Sequence, residues 1–271
     1  MRERPWQTKP RAERRDGARR DHNRPHWNRP GARRERDAPS ILYGWHTVTA
    51  ALANPARRIR KLWATENAVR RLADEGIAPP IEPELVRPDA IAARLSPDAV
   101  HQGLLAEADP LAAPELDELA AAGIVLVLDQ ITDPHNFGAI LRTAAAFAVG
   151  AIVTTARHSP EATGVLAKSA SGALELVPIV IVQNLARGLG SLKEHGFRVI
   201  GLDSEAPDDL AAVTLSAPLA LVLGAEGKGL RQGTKAVCDQ LARLDLPGAI
   251  KSLNVSNAAA LSLYVATRAQ A

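Results

Sequence analysis

Three polar segments hold the side chains with which this sequence could do chemistry, and each follows an apolar run. The first reads Asp129-Gln130-Ile131-Thr132-Asp133-Pro134-His135-Asn136-Phe137-Gly138, with Arg142 and Thr143 shortly after. Pro134 and Gly138 are expected to fix the shape of this loop. Asn136 is a good helix N-cap, and the spacing predicts a helix from about residue 137. Arg142 follows Asn136 by about 600° of helical rotation, so periodicity does not put the two on one face. Its neighbours Ile140, Leu141, Ala144, Ala145 and Ala146 are apolar, and a lone arginine among them needs a reason beyond surface charge. The second segment is Leu223-Gly224-Ala225-Glu226-Gly227-Lys228-Gly229-Leu230. Its glycines let backbone approach a ligand closely. The G-x-x-G-x-G spacing is neither the dinucleotide fingerprint nor a P-loop, which disfavours a nucleotide-phosphate site. Glu226 could bind a hydroxyl, a ribose or an amine. The third segment, 246–258, contains Ser252, Asn254, Ser256 and Asn257, more hydrogen-bonding groups than a helix cap uses.

Other chemistries are disfavoured. The single cysteine, Cys238, allows no intrachain disulfide and no cysteine-based zinc site, and it reads as a small buried apolar residue. His46, His101, His135, His158 and His195 are dispersed without metal-ligand spacing, so no metal is expected. His135, in its loop, could serve as an acid or base. No apolar stretch approaches the roughly 18–20 residues of a membrane helix. The N-terminus has no apolar run of a secretory signal, and a cytoplasmic location is expected.

The elements that must position these residues alternate. Apolar runs at 124–128, 151–154, 177–182, 198–202, 219–223 and 241–246 are separated by helical stretches, and a last helix is expected over 254–269. Near-continuous apolar strands between helices imply a parallel sheet covered on both faces. In such sheets ligands sit beyond the carboxyl ends of the strands, where the three segments fall. This domain is expected over 123–271. Ahead of it, 41–106 reads as a small α/β unit: helix 45–53, strand 58–64, helices 66–75 and 88–95, and strand 100–106. Residues 107–122, with Pro110, Pro114 and a short helix, read as a linker. Residues 1–40 carry twelve arginines and Lys9 against six acids, a net of +7, while the rest of the chain is −4. Composition marks this tail as disordered. Its arginines beside Trp6 and Trp27 suit single-stranded RNA.

Taken together, the three segments resemble the motifs of the SpoU/TrmH branch of the SPOUT RNA methyltransferases. The matching residues are Asp133-Pro134-His135-Asn136-Phe137-Gly138 with Arg142-Thr143, Leu223-Gly224-Ala225-Glu226-Gly227 with Gly229, and Ser252-Leu253-Asn254-Val255-Ser256 with Ala258. Residues 41–106, including His101-Gln102-Gly103, are similar to the L30e-like RNA substrate-binding domain of many members. Lys168-Ser169-Ala170-Ser171-Gly172-Ala173 and Asn184-Leu185-Ala186 look like the subgroup that methylates a guanosine of 23S ribosomal RNA.

The resemblance implies an α/β fold whose SPOUT domain carries a trefoil knot, a homodimer, and transfer of methyl from S-adenosyl-methionine to a ribose 2′-hydroxyl of 23S rRNA or a large-subunit precursor. It makes Arg142 the catalytic residue, with Asn136, Glu226, Ser252 and Asn254 positioning ribose, cofactor and arginine. It puts the cofactor against Gly224, Leu244 or Leu246, and Leu253. Relatives usually have Ile-Pro-Met where this chain has Leu244-Asp245-Leu246, and a proline appears only at Pro247, so the choice between 244 and 246 stays open. The chemistry itself asks for a hydroxyl held in line with the sulfonium methyl and relieved of its proton. Arginine stays protonated, so binding of the phosphate and hydroxyl suits Arg142 better than a base role, which would need a lowered pKa. The alternatives are a tRNA 2′-O-methyltransferase and a non-catalytic ribosome- or RNA-binding protein. An oxidoreductase is disfavoured by the glycine spacing.

Overall fold

Residues 39–158 and 164–270 are described by a computed structural model. All but the last two residues of the expected tail lie outside this range. The first elements are β1 (Ser40–Tyr43), α1 (Trp45–Ala53), β2 (Ile59–Ala64), α2 (Glu66–Asp74), β3 (Glu84–Leu85), α3 (Pro88–Ala92) and β4 (Leu104–Ala108). Their strands form a front sheet of order β1-β4-β2-β3, antiparallel except between β2 and β3. Helix α3 is shorter than the expected 88–95, and β4 begins four residues later than the expected 100. The strand starts late because His101-Gln102-Gly103 is a turn: φ is 53° at Gln102 and 83° at Gly103, in the left-handed region. A Cβ at Gly103 would stand 2.5 Å from Thr65 Oγ1, the N-cap of α2.

The remaining elements are β5 (Ile124–Asp129), α4 (Pro134–Ala146), β6 (Ala151–Thr155), α5 (Gly164–Ala170), β7 (Ile179–Val182), α6 (Leu185–Glu194), β8 (Arg198–Leu202), β9 (Asp208–Asp209), β10 (Leu219–Gly224), α7 (Gln232–Lys235), β11 (Gln240–Arg243) and α8 (Val255–Ala269). The seven strands run in the order β7-β6-β5-β10-β8-β11-β9, and every pairing is parallel. Alternate residues of a strand face opposite sides. Leu126 and Leu128 of β5 pack with Phe137, Ile140 and Leu141 of α4 and Leu263 of α8. Val125 and Val127 pack on the other side with Leu185, Leu189 and Leu192 of α6. Burial on both faces is why these strands read as unbroken apolar runs.

Further details differ from expectation. Helix α4 starts at Pro134 rather than 137, because Asp133 is the cap: its carboxylate accepts from the backbone N–H of His135 (3.3 Å) and Asn136 (3.1 Å). Proline suits the first helical turn, where its missing N–H costs nothing. Asn136 therefore lies inside the first turn and is not the cap. Strand β11 stops at Arg243 instead of 246, where its pairing with the two-residue β9 ends. Leu244 and Leu246 then lie in the segment beyond the strand. In place of a helix, 107–122 contains a 3-10 turn, Leu116–Glu118.

The front sheet is locked to the larger one by a buried ion pair. The Arg57 guanidinium meets the Glu175 carboxylate at 2.6 Å, with side-chain exposures of 2% and 3%. Asn54 Nδ2 donates to the same carboxylate at 2.8 Å, and Arg57 Nη1 donates to the Asp109 carbonyl at 2.8 Å. Glu175 ends a 3-10 turn, Ala173–Glu175, just after α5. Thr47 Oγ1 of α1 donates to the Ala167 carbonyl of α5 at 3.1 Å. Among the described residues no helix is long and apolar enough to cross a membrane.

Candidate active site

Strand order reverses beside β5, where β10 arrives from a distant part of the chain. Gly224 pairs in register with Asp129 at the carboxyl ends of these neighbours. This is a topological switch point, the usual ligand position in an open parallel sheet. The three polar segments leave the sheet here, after β5, β10 and β11.

Each segment contributes one residue to a hydrogen-bonded triangle. Asn254 Nδ2 donates to Glu226 Oε1 at 2.5 Å and to Asn136 Oδ1 at 2.9 Å. Asn136 Nδ2 donates to Glu226 Oε1 at 3.4 Å. The Val255 backbone N–H, at the start of α8, donates to the same oxygen at 3.1 Å. Asn254 is the N-cap of α8: its Oδ1 accepts from the Ser256 N–H at 2.9 Å. That bond turns Nδ2 toward the carboxylate. A negative group at the N-terminus of α8 is also favoured by the helix dipole. Glu226 Oε2 has no hydrogen-bond partner among the described residues, and the triangle faces solvent.

Arg142 and Ser252 do not join this network. Both are exposed, and neither side chain has a hydrogen bond or ion pair among the described residues. The apolar neighbours of Arg142 form the buried face of α4, through Phe137, Gly138, Ile140, Leu141 and Ala144, while Arg142 stands on the exposed face. Gly138 lies within α4, so its role is packing rather than loop shape. A Cβ there would come within 2.5 Å of the Ser169 Cβ and 2.9 Å of the Ala170 nitrogen, so α5 crosses α4 backbone to backbone.

The residues available to a cofactor lie on the other two segments. A Cβ on Gly224 would collide with the Gly229 carbonyl and the Leu230 nitrogen. That approach folds 225–229 into a tight turn, closed by Gly229 N–H donating to the Ala225 carbonyl at 2.8 Å. Leu244, Leu246 and Leu253 are half-buried, and Leu244 packs against the main core. Among the described residues, no backbone group of 245–253 bonds to another backbone group. Unpaired amides flanked by leucines fit an adenosyl ligand, which offers a flat apolar ring edged with donors and acceptors.

One supporting residue escaped the sequence reading. Asp129 is fully buried, and its carboxylate accepts from Arg231 N–H at 3.1 Å, Arg231 Nε at 2.7 Å and Thr234 Oγ1 at 2.7 Å. It anchors the far end of the segment that carries Glu226. An acid closing an apolar run was visible in the sequence, but its partners lie 102 and 105 residues away. Near it, Thr155 Oγ1 is 2.9 Å from His158 Nδ1, and burial, then the Arg231 charge, lowers the His158 pKa. His135 is exposed with Nδ1 3.3 Å from Ser169 Oγ. Cys238 is half-buried, and burial raises its thiol pKa to about 11, so it carries no reactive thiolate. Among the described residues no group of three or more His, Cys, Asp or Glu could hold a metal.

Residues 123–264 match the SpoU rRNA Methylase family, and 41–114 match a family described as RNA 2'-O ribose methyltransferase substrate binding. The chain is 37% identical over 241 residues to the 23S rRNA (guanosine-2'-O-)-methyltransferase RlmB of Pseudomonas putida, spanning 84% of this chain and 95% of the relative. It is 40% identical over 242 residues to the protein of the same name from Ralstonia nicotianae, with the same coverage. The SpoU methyltransferase AviRb of Streptomyces viridochromogenes, solved in complex with the cofactor AdoMet, superposes with a TM-score of 0.72 over 89% of this chain and 93% of its own. At 21% identity that likeness is one of fold.

Proposed function

The chain belongs to the SpoU rRNA methylase family, and from that premise we propose that it transfers a methyl group from S-adenosyl-methionine to the ribose 2′-hydroxyl of a guanosine in 23S ribosomal RNA. The observation that carries this reading is the Asn136–Glu226–Asn254 triangle, which joins all three motif segments at the switch point of the sheet.

Each group's surroundings support the role that the resemblance implies for it. When bound, S-adenosyl-methionine supplies an activated methyl group on a sulfonium. Gly224, Leu253 and either Leu244 or Leu246 would hold it, through backbone amides and apolar side chains. Arg142, with its fork unpaired, would grip the phosphate beside the target ribose and orient the hydroxyl. Glu226 Oε1 is taken by three donors, and Oε2 stays available to a ribose or cofactor hydroxyl. Ser252, exposed on the third segment, would add a hydrogen bond to the ligand. Asn136 and Asn254 keep Glu226 in place.

The same premise extends to the trefoil knot in 123–271, to an L30e-like RNA-binding character for 41–106, and to a cytoplasmic site of action. It also supports a homodimer. Leu261 and Tyr264 on α8 are 44% and 56% exposed, and Ile250 in the segment before it is 77% exposed, apolar area that a partner would cover.

Transfer of labelled methyl to 23S rRNA lacking the modification, followed by nucleoside digestion, tests the reading. The expected product is 2′-O-methylguanosine. Methyl on a base overturns it, labelling of tRNA alone favours the tRNA alternative, and RNA binding without methyl transfer favours a non-catalytic role.

A further inference from the structure

A cleft of about 260 Å³ opens on the front sheet, between the amino ends of α1 and α2 and the turn before β4. Trp45, Asn67, Arg71, Pro88, His101 and Gln102 are among the residues that line it. The Arg71 guanidinium lies 3.8 Å from the centre of the Trp45 ring, so one face of the fork is covered by indole. Glu75 pins both partners: Arg71 Nε donates to Oε1 at 2.8 Å, and Trp45 Nε1 donates to Oε2 at 3.3 Å. The arginine is thus a flat, pre-oriented plate. Its side chain is 51% exposed, and its Nη atoms have no hydrogen bond among the described residues.

The rest of the lining is rich in donors. Gln102 Oε1 accepts from the Trp45 N–H at 2.9 Å and from Lys168 Nζ at 3.1 Å, and its amide nitrogen is unengaged among the described residues. Asn67 Oδ1 accepts from Arg70, and its amide nitrogen is likewise unengaged among the described residues. His101 Nδ1 accepts from the Gly103 N–H at 3.1 Å, and burial lowers the His101 pKa. The neutral ring then carries its proton on Nε2, a further donor.

Three considerations select the occupant. A plate ringed by donors suits a planar group with an acceptor-bearing edge, and unstacked bases of RNA are held on Arg planes in this way. The volume is below the roughly 300–1,000 Å³ of pockets that enclose a whole ligand, so what enters is one part of a larger molecule. Residues 41–108 carry eight basic and eight acidic side chains, so attraction by net charge is absent and recognition must be local. We propose that this cleft holds a single unpaired nucleobase of the RNA substrate, stacked on Arg71, as a subsite distinct from the site of methyl transfer. The proposal rests on the RNA methyltransferase reading above. A continuous path joins the two sites: Gln102 bonds Lys168, the adjacent Ser169 meets His135, and the adjacent Asn136 belongs to the triangle.

The test compares full-length wild type with Arg71→Ala, Arg71→Lys and Asn67→Ala on a 23S rRNA transcript. Loss of one stacked base predicts that both Arg71 variants raise the Kd and KM for RNA by about tenfold. Asn67→Ala should raise them by about threefold. The kcat at saturating RNA and the affinity for S-adenosyl-methionine should stay at wild-type values. Wild-type RNA affinity in Arg71→Lys would show that charge suffices and would overturn the stacking subsite, as would wild-type affinity in all three. Because Arg71 also covers Trp45, melting temperatures are recorded, and if Arg71→Ala unfolds, the other two variants decide. A wild-type protein that methylates no RNA sinks the functional reading itself. An active wild type with unaffected variants sinks only the cleft.

Discussion

Glu226 Oε1 accepts from three neutral donors, so its negative charge is directed but not cancelled. Arg142 is exposed, and its guanidinium has no partner among the described residues. Arg142→Ala should therefore leave the melting temperature and the affinity for S-adenosyl-methionine unchanged. It should lower the single-turnover rate of methyl transfer at least about 100-fold, the scale of a positioned catalytic group. A variant keeping more than about a tenth of the rate would remove Arg142 from the chemistry. At this scale much of the candidate site was legible. Asn136, Glu226 and Asn254 stood out as polar residues in the three segments that follow apolar runs. That they touch was not legible, since Asn136 lies 90 and 118 residues from its two partners. The cap of α4 was misread because Asn136 and Asp133 have similar capping propensity. The Asp133-Pro134 pair decides in favour of Asp133.

Among the elements, β5 and the turn 225–229 depend on Asp129. Asp129→Ala removes the acceptor for the buried Thr234 hydroxyl and for Arg231, and unsatisfied buried donors cost about 1–3 kcal/mol. The expected result is that loss in urea unfolding, together with weaker S-adenosyl-methionine binding measured by calorimetry, because the turn that carries Glu226 and abuts Gly224 loses its anchor. Undiminished cofactor binding would show that the turn holds itself in place. Strands were the most legible elements: 198–202 was read without error, and the other large-sheet runs were located to within about three residues. Their ends were less so, because a strand stops where its partner stops. β11 is cut short by the two-residue β9, which no pattern announces. The turn at 101–103 read as extended because nothing in its composition signals the positive φ of Gln102.

At the scale of the whole molecule, the Arg57–Glu175 pair ties two sheets together through residues 118 apart, which no local pattern could reveal. Glu175→Ala leaves a buried arginine unpaired and should cost about 3–5 kcal/mol in urea unfolding; a loss below about 1 kcal/mol would show that water reaches the seam. Acid should weaken the fold through Asp203 and Asp239. Burial alone would raise both carboxyl pKa values, but Lys235 with the Glu205 N–H, and Lys193 with the Val199 N–H, hold them below the usual value. A depressed folded pKa means stability that is present above about pH 4, the unfolded value, and lost as pH falls through the folded one. The acid limb of a stability–pH curve should flatten in Asp203→Asn, and an unchanged limb would place the acid sensitivity elsewhere. The net +7 of residues 1–40 sets a further expectation. Removing them should flatten the dependence of log RNA affinity on log salt, because each phosphate contact releases about one counterion. Equal slopes would show that those residues touch no phosphate. The triangle also orders events in time. A ribosome making this chain delivers Asn136 first, Glu226 ninety residues later and Asn254 last, with α8 still to follow. A nascent chain can complete the front sheet and make β5 to β8 while the triangle still lacks two of its corners. Competence to modify RNA therefore begins only once Asn254 and the helix it caps have been synthesised.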